Sequence, residues 1–191
     1  MENIAKTIVM MVGISGSGKS TYLKNRFLLD FPNVSDILNT NNITLNDLIV
    51  EPDSIRRELN GYTSFGIDEL KVWSIALERL KYTIEKYNFV ILDATNLVGK
   101  DRRKILSNFS DDKKVAVIFK PNIELSNERI RTDIENKLDR SDVSLEVIQR
   151  QYLNFKKFIV NNINWDGNFE TAKKMIKKNL YIEFQEIFFS E

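Results

Sequence analysis

The sequence contains no histidine and no cysteine. Without histidine there is no imidazole base, no Ser-His-Asp triad and no imidazole metal ligand. Without cysteine there is no disulfide, no thiol nucleophile and no zinc cluster. Glycine and proline are scarce, at seven and three residues, which excludes collagen-like and low-complexity readings. No apolar run reaches the length of a membrane-spanning helix. The short run Ile8 to Val12 follows acidic Glu2 and precedes glycines, unlike a secretory leader. Strong charge of one sign is also missing. The formal net charge is +1, which argues against a basic nucleic-acid coat. Residues 1–96 carry a net of −2 and residues 97–191 a net of +3. That later excess fits a modest basic face and ordinary solvated helix faces equally well. The expectation is a cytoplasmic protein with no membrane association. Its chemistry falls to Asp, Glu, Lys, Arg, Ser, Thr, Tyr, backbone groups or an oxygen-liganded ion.

What is present is a balanced chain of 191 residues, 42% hydrophobic and 29% charged. It is long enough to enclose a core and is read as one domain over residues 1–191, with neither repeat nor linker. Thr7 to Val12 is a continuous apolar run stopped by Gly13, the pattern of a buried parallel strand. Ser20 to Phe31 reads as a helix ended by Pro32, and the Asn-rich stretch 33–47 as a loop. Leu48 to Val50 reads as a short strand. Pro52 opens a helix through Leu59, with Gly61 past its end. A longer helix carries Ile67, Leu70, Leu77, Leu80 and Ile84 as its apolar stripe. Strand 89–92, helix 100–108, strand 115–119 and helices 124–135 and 144–160 follow. The alternation predicts an α/β fold, a parallel sheet with helices on both faces. In the tail 161–191, Leu180 to Phe184 alternates like an edge strand, while 170–189 also fits one helix.

Gly13-Ile14-Ser15-Gly16-Ser17-Gly18-Lys19-Ser20 matches G-x-x-x-x-G-K-[ST] at every fixed position, between a predicted strand and a predicted helix. Glycines let successive N–H groups turn inward around a phosphate, and the next helix adds free N–H groups and the positive end of its dipole. Lys19 is placed to reach the β- and γ-phosphates of a nucleoside triphosphate, and the Ser20 hydroxyl to ligate Mg²⁺. Gly13, Ser15, Gly16, Ser17, Gly18, Lys19, Ser20 and Thr21 are the candidate donor-binding residues. Asp93 ends an apolar strand and is expected at the sheet edge beside this loop, holding a magnesium water or orienting another group. A turn aspartate accounts for it as well, because Thr95 and Asn96 follow. Asp53 and Arg56 share a helix face, with Arg57 four residues from Asp53. A carboxylate there can accept the proton of an attacking hydroxyl, and the arginine can bind an acceptor phosphate or hold the acid. The spacing fits a capping aspartate with a surface ion pair equally well.

The segments Gly13–Thr21 (GISGSGKST), Glu51–Leu59 (EPDSIRREL), Val90–Leu97 (VILDATNL) and Arg102-Arg103 resemble, in order and spacing, the phage-type and bacterial 5′-polynucleotide kinases. The wider group includes the zeta-toxin-like small P-loop kinases. The resemblance spans about residues 5–160. It implies a P-loop kinase with a helical lid at about 124–143. By that resemblance Asp53 is the general base, Arg56 contacts the acceptor-side phosphate, and Asp93 belongs to the active site. The family's lid arginines clamp the donor phosphates four residues apart. Here Arg129 holds the first position and Asp133 the second, leaving Arg131 and Arg140 as substitutes. The Asn-rich stretch before Asp53 also departs from the family pattern, and no D-x-D-x-T phosphatase motif is present. The implied activity is transfer of the γ-phosphoryl group of ATP, with Mg²⁺, to a hydroxyl, foremost the 5′-OH of a DNA or RNA end. A small-molecule kinase shares every motif. An acceptor-free ATPase is the reading from another class. Oligomeric state is not readable from these residues.

Overall fold

The computed structural model describes residues 6–60, 68–138, 142–159, 173, 176 and 183–190. Five parallel strands form one sheet: β1 Thr7–Val12, β2 Ile49–Val50, β3 Phe89–Leu92, β4 Lys113–Phe119 and β5 Glu186–Ser190, in the order β2-β3-β1-β4-β5. The helices are α1 Lys19–Asn25, α2 Phe27–Asp30, α3 Asn33–Asn41, α4 Pro52–Asn60, α5 Glu69–Tyr87, α6 Gly99–Leu106, α7 Ile123–Glu135 and α8 Leu145–Ile159.

Successive strand side chains point to opposite faces. Ile8, Met10 and Val12 therefore enter one core with Val90, Leu92, Ala116 and Ile118, against Val72, Ala76 and Leu80 of α5, Ile130 of α7 and Ile148 and Phe155 of α8. Val9 and Met11 enter the other core with Ile91, Val115 and Val117, against Tyr22, Leu23, Phe27 and Val34. Both faces are covered, as the continuous apolar strands require.

Four expectations are corrected. The helix expected over 20–31 breaks at Arg26 (φ −132°), so that α2 can turn Phe27 onto Phe31, with ring centroids 4.5 Å apart. The Asn-rich stretch is not a loop. It forms α3, which buries Val34 and Ile37 and ends at Asn42 in the left-handed conformation, followed by a 3-10 turn at Leu45–Leu48. The apolar spacing of Val34, Ile37 and Leu38 outweighs the modest helix propensity of asparagine. On α5 the buried stripe is Val72, Ala76, Leu80, Thr83 and Ile84, whereas Leu70 is exposed and Ile67 lies outside the described residues. Finally, the edge strand is Glu186–Ser190, hydrogen-bonded in parallel to β4. Residues 180–182 lie outside the described residues, and a helix through 189 is excluded by the strand.

The topology places the sheet's carboxyl edge where the motifs converge. Met10 pairs with Leu92 and Val50 pairs with Leu92 on its other side. The chain therefore leaves β1, β3 and β2 side by side, into the phosphate-loop motif, Asp93 and α4 respectively. Such an edge, where neighbouring connections diverge, is where parallel α/β sheets form crevices.

Candidate active site

The loop between β1 and α1 adopts the conformation its glycines permit. Gly16 (φ 77°) and Gly18 (φ 97°) occupy the left-handed region, and a Cβ on Gly16 would stand 2.5 Å from the Ser126 carbonyl oxygen. Lys19 Nζ folds back to donate to the carbonyls of Gly13 (3.2 Å) and Ile14 (3.0 Å). The Gly13 N–H donates to Thr95 O at 3.1 Å, tying the loop to the end of β3. Asn96, at φ 49°, donates through Nδ2 to Met11 O at 2.7 Å. Ser17 Oγ is buried with no hydrogen-bond partner among the described residues.

Helix α7 lies directly on this loop. Ser126 is buried against Gly16, and Arg129 Nη1 donates to Gly16 O at 3.2 Å. Helix α8 reaches the loop as well. The Ser15 N–H donates to Gln151 Oε1 at 2.7 Å, and Gln151 Nε2 donates to Ser15 Oγ at 3.1 Å.

These elements enclose a cleft of about 570 Å³. Ser15, Gly16, Gly18, Lys19, Ser20, Thr21, Lys24 and Arg129 line one part, and Glu51, Asp53, Arg57 and Asp93 another. The structure thus brings Lys19, Ser20, Asp53, Asp93 and Arg129 to one cavity. Gly13 and Ser17 belong to the loop but do not line the cleft. Arg131 is turned away to Asp142 (3.1 Å), and Arg140 lies outside the described residues. Asp133, four residues after Arg129, lines the cleft.

Asp93 is buried, and its N–H donates to Val50 O at 3.0 Å. Burial pushes its carboxyl up to about 6; Lys19 opposes the rise, and the nearby carboxylates of Glu51 and Asp53 add to it. Arg56 does not line the cleft. It pairs with Asp53 and forms two bonds to Glu69, Nε to Oε1 at 2.8 Å and Nη2 to Oε2 at 2.7 Å. The Glu69 bond, above all, holds the guanidinium above its ordinary pKa. Arg57 faces the cleft instead, donating to Ser54 Oγ at 2.7 Å and pairing with Glu51 at 3.3 Å.

Residues that the motifs did not single out are Glu51, Lys24 and Gln151. Glu51 had a signal, since it ends the second strand beside Asp53. Gln151 had none, because its contact spans 136 positions.

A family model described as an AAA domain matches residues 8–158. The chain belongs to that family. Among solved structures, Chaetomium thermophilum Kti12, determined with ADP-AlF3, is 12% identical, with 91% of this chain and 97% of that chain covered and a TM-score of 0.51. The Mycobacterium tuberculosis APS kinase CysC, determined with AMPPNP and APS, is 19% identical, with 80% and 98% covered and a TM-score of 0.42. No curated protein matches the chain. The AAA domain here has the P-loop kinase-like fold, with its five-stranded parallel sheet and helices on both faces. No helix among the described residues is long and apolar enough to cross a membrane.

Proposed function

We propose that the protein is an ATP-dependent kinase that transfers the γ-phosphoryl group to a hydroxyl, with Asp53 as the base. The observation that carries this reading is the shared cleft, which Lys19, Ser20, Arg129, Asp53 and Asp93 all line. Loop amides, Lys19 and Arg129 bind and neutralise the donor phosphates, while Asp53 takes the proton of the attacking hydroxyl. On binding, Lys19 exchanges the Gly13 and Ile14 carbonyls for phosphate oxygens. The donor set suits Mg²⁺, because Ser20 offers a hydroxyl and Asp93 a carboxylate on the same cavity. Mg²⁺ would supply charge neutralisation between the β- and γ-phosphates.

The resemblance in the motifs supports a 5′-OH DNA or RNA end as acceptor. The cleft favours a second reading. Its acceptor wall carries Glu51, Asp53 and Asp93 against one arginine already paired to Glu51, a poor surface for a polyanion and a better one for an uncharged or cationic hydroxylated small molecule. Radiolabelled ATP with Mg²⁺, offered with separate pools of 5′-OH oligonucleotides, nucleosides, sugars and amino sugars, tests both. Label on oligonucleotides, weakening with salt, supports the first. Label on a small molecule supports the second. Hydrolysis unaffected by every pool overturns the kinase reading in favour of an ATPase.

A further inference from the structure

The family match ends at residue 158, yet one side chain beyond it grips helix α6, next to the connection that begins with Asp93. Glu183 is largely buried. Its Oε2 accepts from Arg102 Nε at 3.0 Å, and its Oε1 from Arg103 Nη1 at 3.1 Å. Arg102, on α6, is itself 3% exposed and donates through Nη1 to the Asn96 carbonyl at 2.9 Å. Asn96 stands in the left-handed conformation in the connection that begins with Asp93. Its side chain holds Met11 O, and the preceding Thr95 carbonyl holds the Gly13 N–H. A continuous set of contacts therefore runs from the tail through Arg102 to both the Asp93 connection and the root of the phosphate loop.

We propose that Glu183 is a positioning residue: it supplies the counter-charge that keeps Arg102 buried on the Asn96 carbonyl, and thereby fixes the 93–97 connection against the phosphate loop. A buried guanidinium that loses its close carboxylate is drawn toward water. Burial depresses the Arg102 pKa, and Glu183 opposes that depression. If the guanidinium leaves, Asn96 loses its carbonyl anchor and keeps its side-chain contacts to Met11 O and, within the connection, Ala94 O. The connection, which carries Asp93, Ala94 and Thr95 on the cleft, then loosens although no lining residue has been substituted. Arg103 is mostly exposed and serves as a second clasp on Glu183. The catalytic part of this inference rests on the kinase reading, and the positioning part does not.

The test uses the full chain and two readouts. Hydrogen exchange in Glu183→Gln is expected to run about tenfold faster at residues 93–97, with the amides of β1 unchanged. Arg103→Ala is expected to match wild type there. The double variant Arg102→Met with Glu183→Met removes both buried charges and is expected to recover thermal stability, yet to keep the fast exchange at 93–97, separating positioning from stability. Where an acceptor is labelled, Glu183→Gln is expected to lower kcat about tenfold with acceptor KM within about twofold. Unchanged exchange at 93–97 in Glu183→Gln, or faster exchange spread evenly over the sheet, overturns the proposal. A wild type that labels no acceptor removes the kinase reading while leaving the exchange result to decide this one.

Discussion

Replacing Asp93 by asparagine should stabilise the protein while disabling it, with a pH dependence that identifies the cause. Burial is the largest influence on this carboxyl and raises it from an ordinary 3.8 to about 6. That interval is worth about 3 kcal/mol at 25 °C. The direction follows from where the proton sits. Near pH 3 both folded and unfolded chains keep Asp93 protonated, and no cost arises. Between about pH 4 and 6 the unfolded chain ionises while the folded chain holds its proton, so the folded state loses stability as pH rises. Above about pH 6 the full cost is present. Asparagine keeps the shape and removes the charge. In nucleotide-free, Mg²⁺-free solution at pH 8, urea unfolding should show Asp93→Asn more stable than wild type by about 2–3 kcal/mol, with the difference vanishing toward about pH 4. Phosphoryl transfer should fall in the same variant, a stability–activity trade-off at one carboxylate. A variant no more stable than wild type at pH 8, or a difference that is flat from pH 4 to 8, refutes the reasoning.

Lys19→Ala should keep its circular dichroism and lose turnover by about 10²-fold or more, since no other group on the loop can follow the transferring charge; activity within about tenfold of wild type counts against the assignment. Asp53→Asn should bind ATP·Mg²⁺ nearly as wild type, measured by calorimetry, and transfer roughly 10²-fold more slowly at saturating substrates. Arg129→Ala should lower kcat severely, whereas Arg131→Ala, whose side chain turns to Asp142, should stay near wild type in the same assay. Gly16→Ala forces a Cβ against the Ser126 carbonyl at positive φ, so melting curves should show a clear loss of stability and nucleotide titrations a weakened complex.

The strands were legible because a doubly covered parallel sheet demands unbroken apolar runs, and 7–12, 89–92 and 115–119 supply them, the last extended in the structure by Lys113 and Lys114. Helix α3 was hidden by composition. Five asparagines within 33–46 read as loop chemistry, while the deciding contacts of Val34 and Ile37 with the sheet are long-range. The stripe of α5 was misread in detail because Leu70 and Val72 both fit a helical repeat, and only the position of β3 decides which one faces inward. The final strand escaped because Leu180 to Phe184 carries the better alternation. Glu186–Ser190 is recruited instead by the open edge of β4, where the Gln185 N–H donates to Lys114 O at 2.9 Å and the Lys120 N–H to Ser190 O at 3.0 Å.

The two arginines of α4 mark where local spacing stops being informative about the site. Arg56 and Arg57 lie three and four residues from Asp53, and both separations allow a helical ion pair. They differ by about 100° around the axis, so one can turn into the cleft while the other turns along the helix flank. The bond from Arg57 to Ser54 Oγ at 2.7 Å leaves Arg56 to be placed by a residue outside α4. Glu69, at the start of α5, does so by offering a two-point carboxylate to Arg56, the geometry a guanidinium fits best. Arg56 is then held between Glu69 and Asp53, and Arg57 is left to the cleft wall beside Glu51. The consequence is chemical. On the kinase reading proposed above, an arginine committed to two carboxylates would orient Asp53 rather than greet an acceptor, and contact with an acceptor's anionic group would fall to Arg57, whose pairing with Glu51 must first be given up. On that reading, discrimination among acceptors would depend on a competition between the acceptor and Glu51 for Arg57.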